Sequence, residues 1–306
     1  MGLPRQAKTR NDLFAQAVAP ILLENKPYVS RDALNGLGIS LKHLDLTTGD
    51  IGHTAGTARL VPMPADAIQQ ILNGGACKVP SEIERTDLQF RGDEAWEQED
   101  RDDPETRFYQ ARALHRIALT YASMCEFPTR VKWRQGYHET TYLQGFDGQG
   151  RISHQIQTVC EAFEGYRVLD RERPFVVGYQ IDQNRLVEGE LLTSELNALI
   201  VLATKYDMDP AYLECDEFIA SRREVHELSF VAALTDFCIL PQVTVITGCD
   251  RQIRGAQSRV NLKHDTFDVS LSRILDFESQ IKNNWEDWKT LLGWFGCSAG
   301  PKARED

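Results

Sequence analysis

The chain has 306 residues, 42% of them apolar and 26% charged, with a formal net charge of −11. That apolar share can build a normal core, which excludes a disordered chain. The acidic sum disfavours a general affinity for nucleic-acid backbone, which depends on clustered Lys and Arg.

The length fits one large domain or two modest ones. No run of about eighteen apolar residues occurs, so no membrane span is expected. The first residues, MGLPRQAKTRNDLF, lack the hydrophobic region of a secretory signal. Seven scattered cysteines form no CxxC pair, which argues against a disulfide framework and a zinc knuckle. The expectation is a cytoplasmic, intracellular protein.

In chain order, 10–26 reads as a helix with a break at Pro20. Ser30 caps a short helix that stops at Gly36 or Gly38, 47–62 is loop, and PADAIQQILNGG is a helix ending at Gly74. An acidic linker covers 80–103. At its end the stretch EQEDRDDPE, residues 97–105, crowds carboxylates before a helix. Asp102 or Asp103 can cap that helix, Pro104 suits its first position and Glu105 faces the positive end of its dipole. Phe108, Ala111, Leu114, Ile117, Ala118 and Tyr121 then give one buried stripe at helical spacing.

TRVKWRQGYHETTYLQGFDGQG alternates with period two, breaks at Gly136 and at the Gly-rich turn 145–150, and reads as a two-stranded hairpin. ISHQIQTVCEAFEG reads as a helix, with Ile152, Ile156, Val159 and Phe163 on one face. RPFVVGYQI is a short, β-branched apolar run, as in a central strand covered on both faces. GELLTSELNALIVLATKY is the most hydrophobic helix, and two more helices are expected at 209–220 and 222–239. PQVTVITGC, RQIRGAQSRVNL and TFDVSLSRIL make an antiparallel meander, and 276–295 an amphipathic helix rich in Trp. The fold class is α/β (mixed α+β): a single mixed sheet flanked by helices. Residues 1–103 form a helical N-terminal extension with the acidic linker, and 104–306 form the core domain.

From residue 104 this order resembles the PD-(D/E)XK nuclease-like core: helix, β-meander, buried strand, covering helix, then a strand leading into a hairpin. GYHETTYLQGFD, RPFVVGYQ and the 241–277 block also look similar to uncharacterised filamentous-fungal proteins. A nuclease of that kind needs an Asp on one strand and an acid-x-Lys on the next, to hold Mg²⁺ and stabilise charge. The acid-x-Lys triplets here, Glu24-Asn25-Lys26 and Asp287-Trp288-Lys289, both fall in predicted helices. Asp182 on the central strand has no Lys two residues on. The resemblance therefore implies a site that is missing or rebuilt.

Asp102, Asp103 and Glu105 are candidate catalytic acids that could hold Mg²⁺ or a cationic group such as guanidinium. The plainer account is a solvated linker that caps a helix. A DDxxE motif characterises the fungal arginine-containing cyclodipeptide synthases, which join amino acids delivered on tRNA. Asp102-Asp103-Pro104-Glu105 resembles it one residue short, and Asp93-Glu94-Ala95-Trp96-Glu97 has Glu for the second Asp. Glu195, among leucines, is a candidate general acid or base, since burial raises a carboxylate pKa. It could equally lie on the helix's wet flank. His138 and Tyr142 share a strand face and could bind substrate, or could simply line an exposed face. Arg251 and Arg254 could receive a phosphate or carboxylate, or pair with surface acids.

Three readings are open. One is a group-transfer or cyclising enzyme (transferase class) of fungal specialised metabolism, acting on a small-molecule or aminoacyl substrate with Mg²⁺ as cofactor and tRNA as a partner. It requires the acids of 97–105 to fold inward over a cleft. The second is a degenerate nuclease-like fold that binds nucleic acid or protein without catalysis. The third is a scaffold docking through an exposed patch of Trp285, Trp288 and Trp294.

Overall fold

The computed structural model describes residues 19–24, 26–52, 54, 57–58, 60–74, 102–124, 132–135, 144–161, 163–164, 167–168, 175–208, 242–261, 266–279 and 281–300. The helices expected at 209–220 and 222–239 lie outside this set. In order come α1 (Ala19–Leu23), α2 (Arg31–Gly36), β1 (Ile39–Leu44), β2 (Leu60–Val61), α3 (Ala65–Asn73) and α4 (Pro104–Met124). Then follow β3 (Lys132–Gln135), β4 (Gln144–Phe146), β5 (Ile152–Glu161), β6 (Phe163–Glu164), β7 (Arg167–Val168), β8 (Phe175–Asp182) and α5 (Thr193–Met208). The last elements are β9 (Gln242–Cys249), β10 (Gln252–Asn261), β11 (Thr266–Ser272), β12 (Leu275–Asp276), α6 (Trp285–Phe295) and β13 (Ser298–Ala299).

One mixed sheet organises these elements. Its strand order is β1-β11-β10-β9-β8-β5-β3, with β12 beside β10 and β4 beside β5. β1 with β11 and β8 with β9 are parallel pairs, and the remaining neighbours in it are antiparallel. The expected meander is present as β9-β10-β11, and β8 is buried at every position as a central strand should be. One face packs Tyr179, Ile181 and Ile246 against α4, α6 and α3. The other packs Val176, Val245 and Val269 against α5 and α2. Each fully buried aliphatic chain of this kind contributes about 2 kcal/mol.

Several local expectations hold. Ser30 accepts the Ala33 N–H and caps α2, Asp103 accepts the Thr106 N–H and caps α4, and α4 buries the anticipated stripe.

Other local expectations need correction. The helix expected from Ile152 is the strand β5. A register irregularity between Ile156 and Thr158 lets two residues three apart, Ile156 and Val159, enter the same core. A bulge thus imitates helical spacing. Nor do β3 and β4 form a hairpin with each other. Both lie on one edge of β5, and the hairpin is β4–β5 around the turn 147–150. That turn is held by Asp147 Oδ1, which accepts from the N–H groups of Gln149 and Arg151. The helical extension over 1–103 is also revised. β1 is a strand of the main sheet and β2 pairs with β13, so the line at residue 103 does not divide the fold.

The Trp-rich segment does not offer an exposed patch. Trp288 and Trp294 are buried, and Trp294 Nε1–H donates to the Leu46 carbonyl across 2.9 Å. Trp285 is half-buried and donates to Gln69 Oε1.

Candidate functional site

Those of the charged residues singled out in the sequence that the structure describes are each bonded to another group of the protein. β8 and β9 run parallel and finish at one end of the sheet, at Asp182 and Cys249. α4 and α5 both begin at that end. Arg107 of α4 donates from Nε to the Gln183 carbonyl, and Ser194 of α5 donates to Asp182 Oδ2. The carboxyl ends of parallel strands are where open α/β sheets usually bind ligands.

The opening acids border this corner but bond outside its buried network. Asp102 pairs with Arg185, and its side chain is 80% exposed. Asp103 is spent on the α4 cap, and the backbone N–H groups it accepts hold its carboxyl below the usual range. The Glu105 side chain, 53% exposed, lies 3.9 Å from Arg151. These carboxylates are spread along a helix start and bonded to separate partners, so they do not share a bound cation in this arrangement.

Glu195 and Arg254 are sealed inside, both side chains at 0% exposure. Arg254 donates from Nε to Oε1 at 3.1 Å and from Nη2 to Oε2 at 2.6 Å, a two-pronged pair. Its Nη1 donates to the Val187 carbonyl at 2.7 Å, and Glu195 Oε2 also accepts the Leu192 N–H at 2.9 Å. Glu195 is the third residue of α5, reaching back to the residue before the helix, which is half of a capping box. Each charge is thereby neutralised and hydrogen-bonded by the protein itself. Arg251 reaches Gln110 Oε1 and the Glu278 carbonyl, both at 3.4 Å. It and Arg254, three positions apart, have separate surroundings and do not form one anion site. His138 and Tyr142 lie outside the described residues.

The carboxylate of greater chemical interest is Asp182. It is completely buried; Oδ1 accepts from Asn184 N–H at 2.6 Å and Asn184 Nδ2–H at 2.9 Å. Gln180 Nε2–H donates to Ser194 Oγ at 2.8 Å, which extends the network along β8. Burial pushes the Asp182 carboxyl up to about 6, against the pull of these donors, and the Glu195 charge adds to the rise. Thr247, one strand over and also buried, has no hydrogen-bond partner for its Oγ1. Sequence reasoning found Asp182 at the strand end but missed Ser194, Gln180 and Asn184. The available signal was an Asp ending an apolar strand with a Ser-Glu pair opening the next helix.

Among the described residues no group of three or more His, Cys, Asp or Glu side chains could hold a metal ion. None of the described helices is long and apolar enough to cross a membrane. Compared with protein-family models, curated proteins and solved structures, the chain matches none.

Proposed function

We propose that this chain is a binding module without catalysis, the second of the readings drawn from its sequence. What carries the proposal is the bonding of the charged set. Asp102, Asp103, Glu105, Glu195, Arg251 and Arg254 are each engaged with another group of the protein. A net charge of −11 favours a protein partner over nucleic acid. A cytosolic location suits the chain, since the buried Cys249 and Cys297 are free thiols.

The test is turnover by the purified chain with Mg²⁺, offered arginyl-tRNA in one reaction and duplex DNA in another, beside a D102N/D103N/E105Q variant. The proposal expects neither cyclised dipeptide nor strand cleavage from either protein. A product made by the wild type would overturn the proposal, and its loss in the triple variant would restore the transferase reading. One observation favours a catalytic reading instead: Asp182, with its carboxyl near 6 beside the Ser194 hydroxyl, has the acidity of a general acid or base working near neutral pH.

A further inference from the structure

Between β8 and α5 the chain crosses the carboxyl ends of the parallel pair as a short irregular segment, residues 184–190. Its tethers to the rest of the fold come largely from side chains. Tyr28 Oη–H donates to the Arg185 carbonyl at 2.7 Å, and Arg254 Nη1–H donates to that of Val187. Arg185 pairs with Asp102, and Glu188 Oε1 accepts the Ile274 N–H at 2.8 Å. Its Leu186 packs with Leu192 and Cys249 in a hydrophobic cluster separate from both main cores, with Tyr28 and Ile274 alongside. Its tip turns at Gly189, φ +74°, and borders an open cleft of about 320 Å³ against β1 and β11. Asp182 sits at the root of the segment, joined to Asn184 within it and to Ser194 behind it.

We infer that residues 184–190 are a strap that opens and closes independently of the two cores, and that the protonation of Asp182 at its root sets the balance. The groups facing Asp182 define the sign. They are Asn184 of the strap, Ser194 and Glu195 of α5, Cys249 of β9, Tyr28 before α2 and His154, opposite on β5, with Arg185, Glu190, Arg254, Arg107 and Asp250 further out around Cys249 and Tyr28. Arg254 is committed to Glu195, and Arg185 to Asp102, so neither cation is dedicated to Asp182. An ionised carboxylate shut under the strap lacks water, and wetting it requires the strap to lift. Ionisation therefore favours the open form and protonation the closed form. The strap is tightest below the Asp182 titration and loosens as pH rises through about 6. Lifting it also uncovers Cys249, while Cys297 in the other core stays covered.

Those two thiols make the test internally controlled. Wild type and D182N, a permanent mimic of the neutral acid, are alkylated with iodoacetamide at pH 7.5. Labelling at each cysteine is followed by peptide mass spectrometry. Cys249 is expected to react at least about tenfold more slowly in D182N, and Cys297 equally slowly in both. Should D182N fail to fold, hydrogen exchange of 184–190 in the wild type, corrected for intrinsic rates, reads the same equilibrium. Protection is expected to be greater at pH 5 than at pH 8. Equal labelling of Cys249 in the two proteins would overturn the inference. So would Cys297 reacting in step with Cys249, or strap protection that ignores pH.

Discussion

Asp182 is the one described acid whose surroundings oppose its charge strongly enough to bring it near neutral pH. Its carboxyl lies near 6 in the folded chain against an ordinary 3.8. The folded protein thus keeps a proton that the unfolded chain has released between those values. The stability this group contributes is full below about pH 4 and is lost as pH rises through 6. Asp182→Asn should therefore raise the unfolding free energy at pH 7.5 by at most about 3 kcal/mol, and leave it unchanged near pH 4. His115 and His154 act in the opposite sense. Burial holds them down to about 3 and about 4. Their contribution is present above 6.5 and is lost as pH falls towards those values. The two histidines outweigh the one acid where these ranges overlap, so together the three groups should make the wild type more stable as pH rises to about 6.5 and level above it, and thermal melts across pH 4 to 8 read this directly. Position 182 was legible as the end of a strand. Its isolation from water was not, because it depends on a strap and a helix start that only the fold brings together.

At the level of elements, the junction of α5 with β10 rests on the Glu195–Arg254 pair. Glu195→Gln leaves Arg254 buried without its counter-charge, a loss of about 3–5 kcal/mol. Replacing both at once, Glu195→Leu with Arg254→Met, should cost less than the single change, since no buried charge is left unpaired. Chemical unfolding of the two proteins makes the comparison. Gly178 marks where β8 meets the same helix: a methyl group there would lie 2.8 Å from Leu202 Cδ1. Gly178→Ala should lower the melting temperature, whereas Gly148→Ala, with open space around it, should not.

The meander, the buried strand and the α4 stripe were legible because each follows one uninterrupted period. β5 was misread because its bulge resets the alternation in mid-strand. β1 was missed for a different reason. At the sheet's end its residues 41–43 are exposed, and Lys42-His43 breaks the alternation begun by Ile39 and Leu41 before Leu44, so the period is too short to read.

Across the described residues, the charges singled out in the sequence are bonded to other groups of the protein. The acids at 102–105 cap and pin a helix start, and Glu195 with Arg254 locks two layers. Asp182, unremarkable as a sequence feature beyond its place on a strand, is the carboxylate that the fold holds against its own preference. Residues that work against stability are those with a reason to be kept other than structure. This division gives Asp182 and Glu195, two of the buried acids, opposite roles although both meet the first turn of α5.

The most direct test is denaturant unfolding of E195Q and D182N side by side at pH 7.5. Opposite displacements are predicted, the midpoint falling for E195Q and rising for D182N. If both midpoints fall, Asp182 is a structural acid like its neighbour, and the account of the strap and of the site beneath it fails.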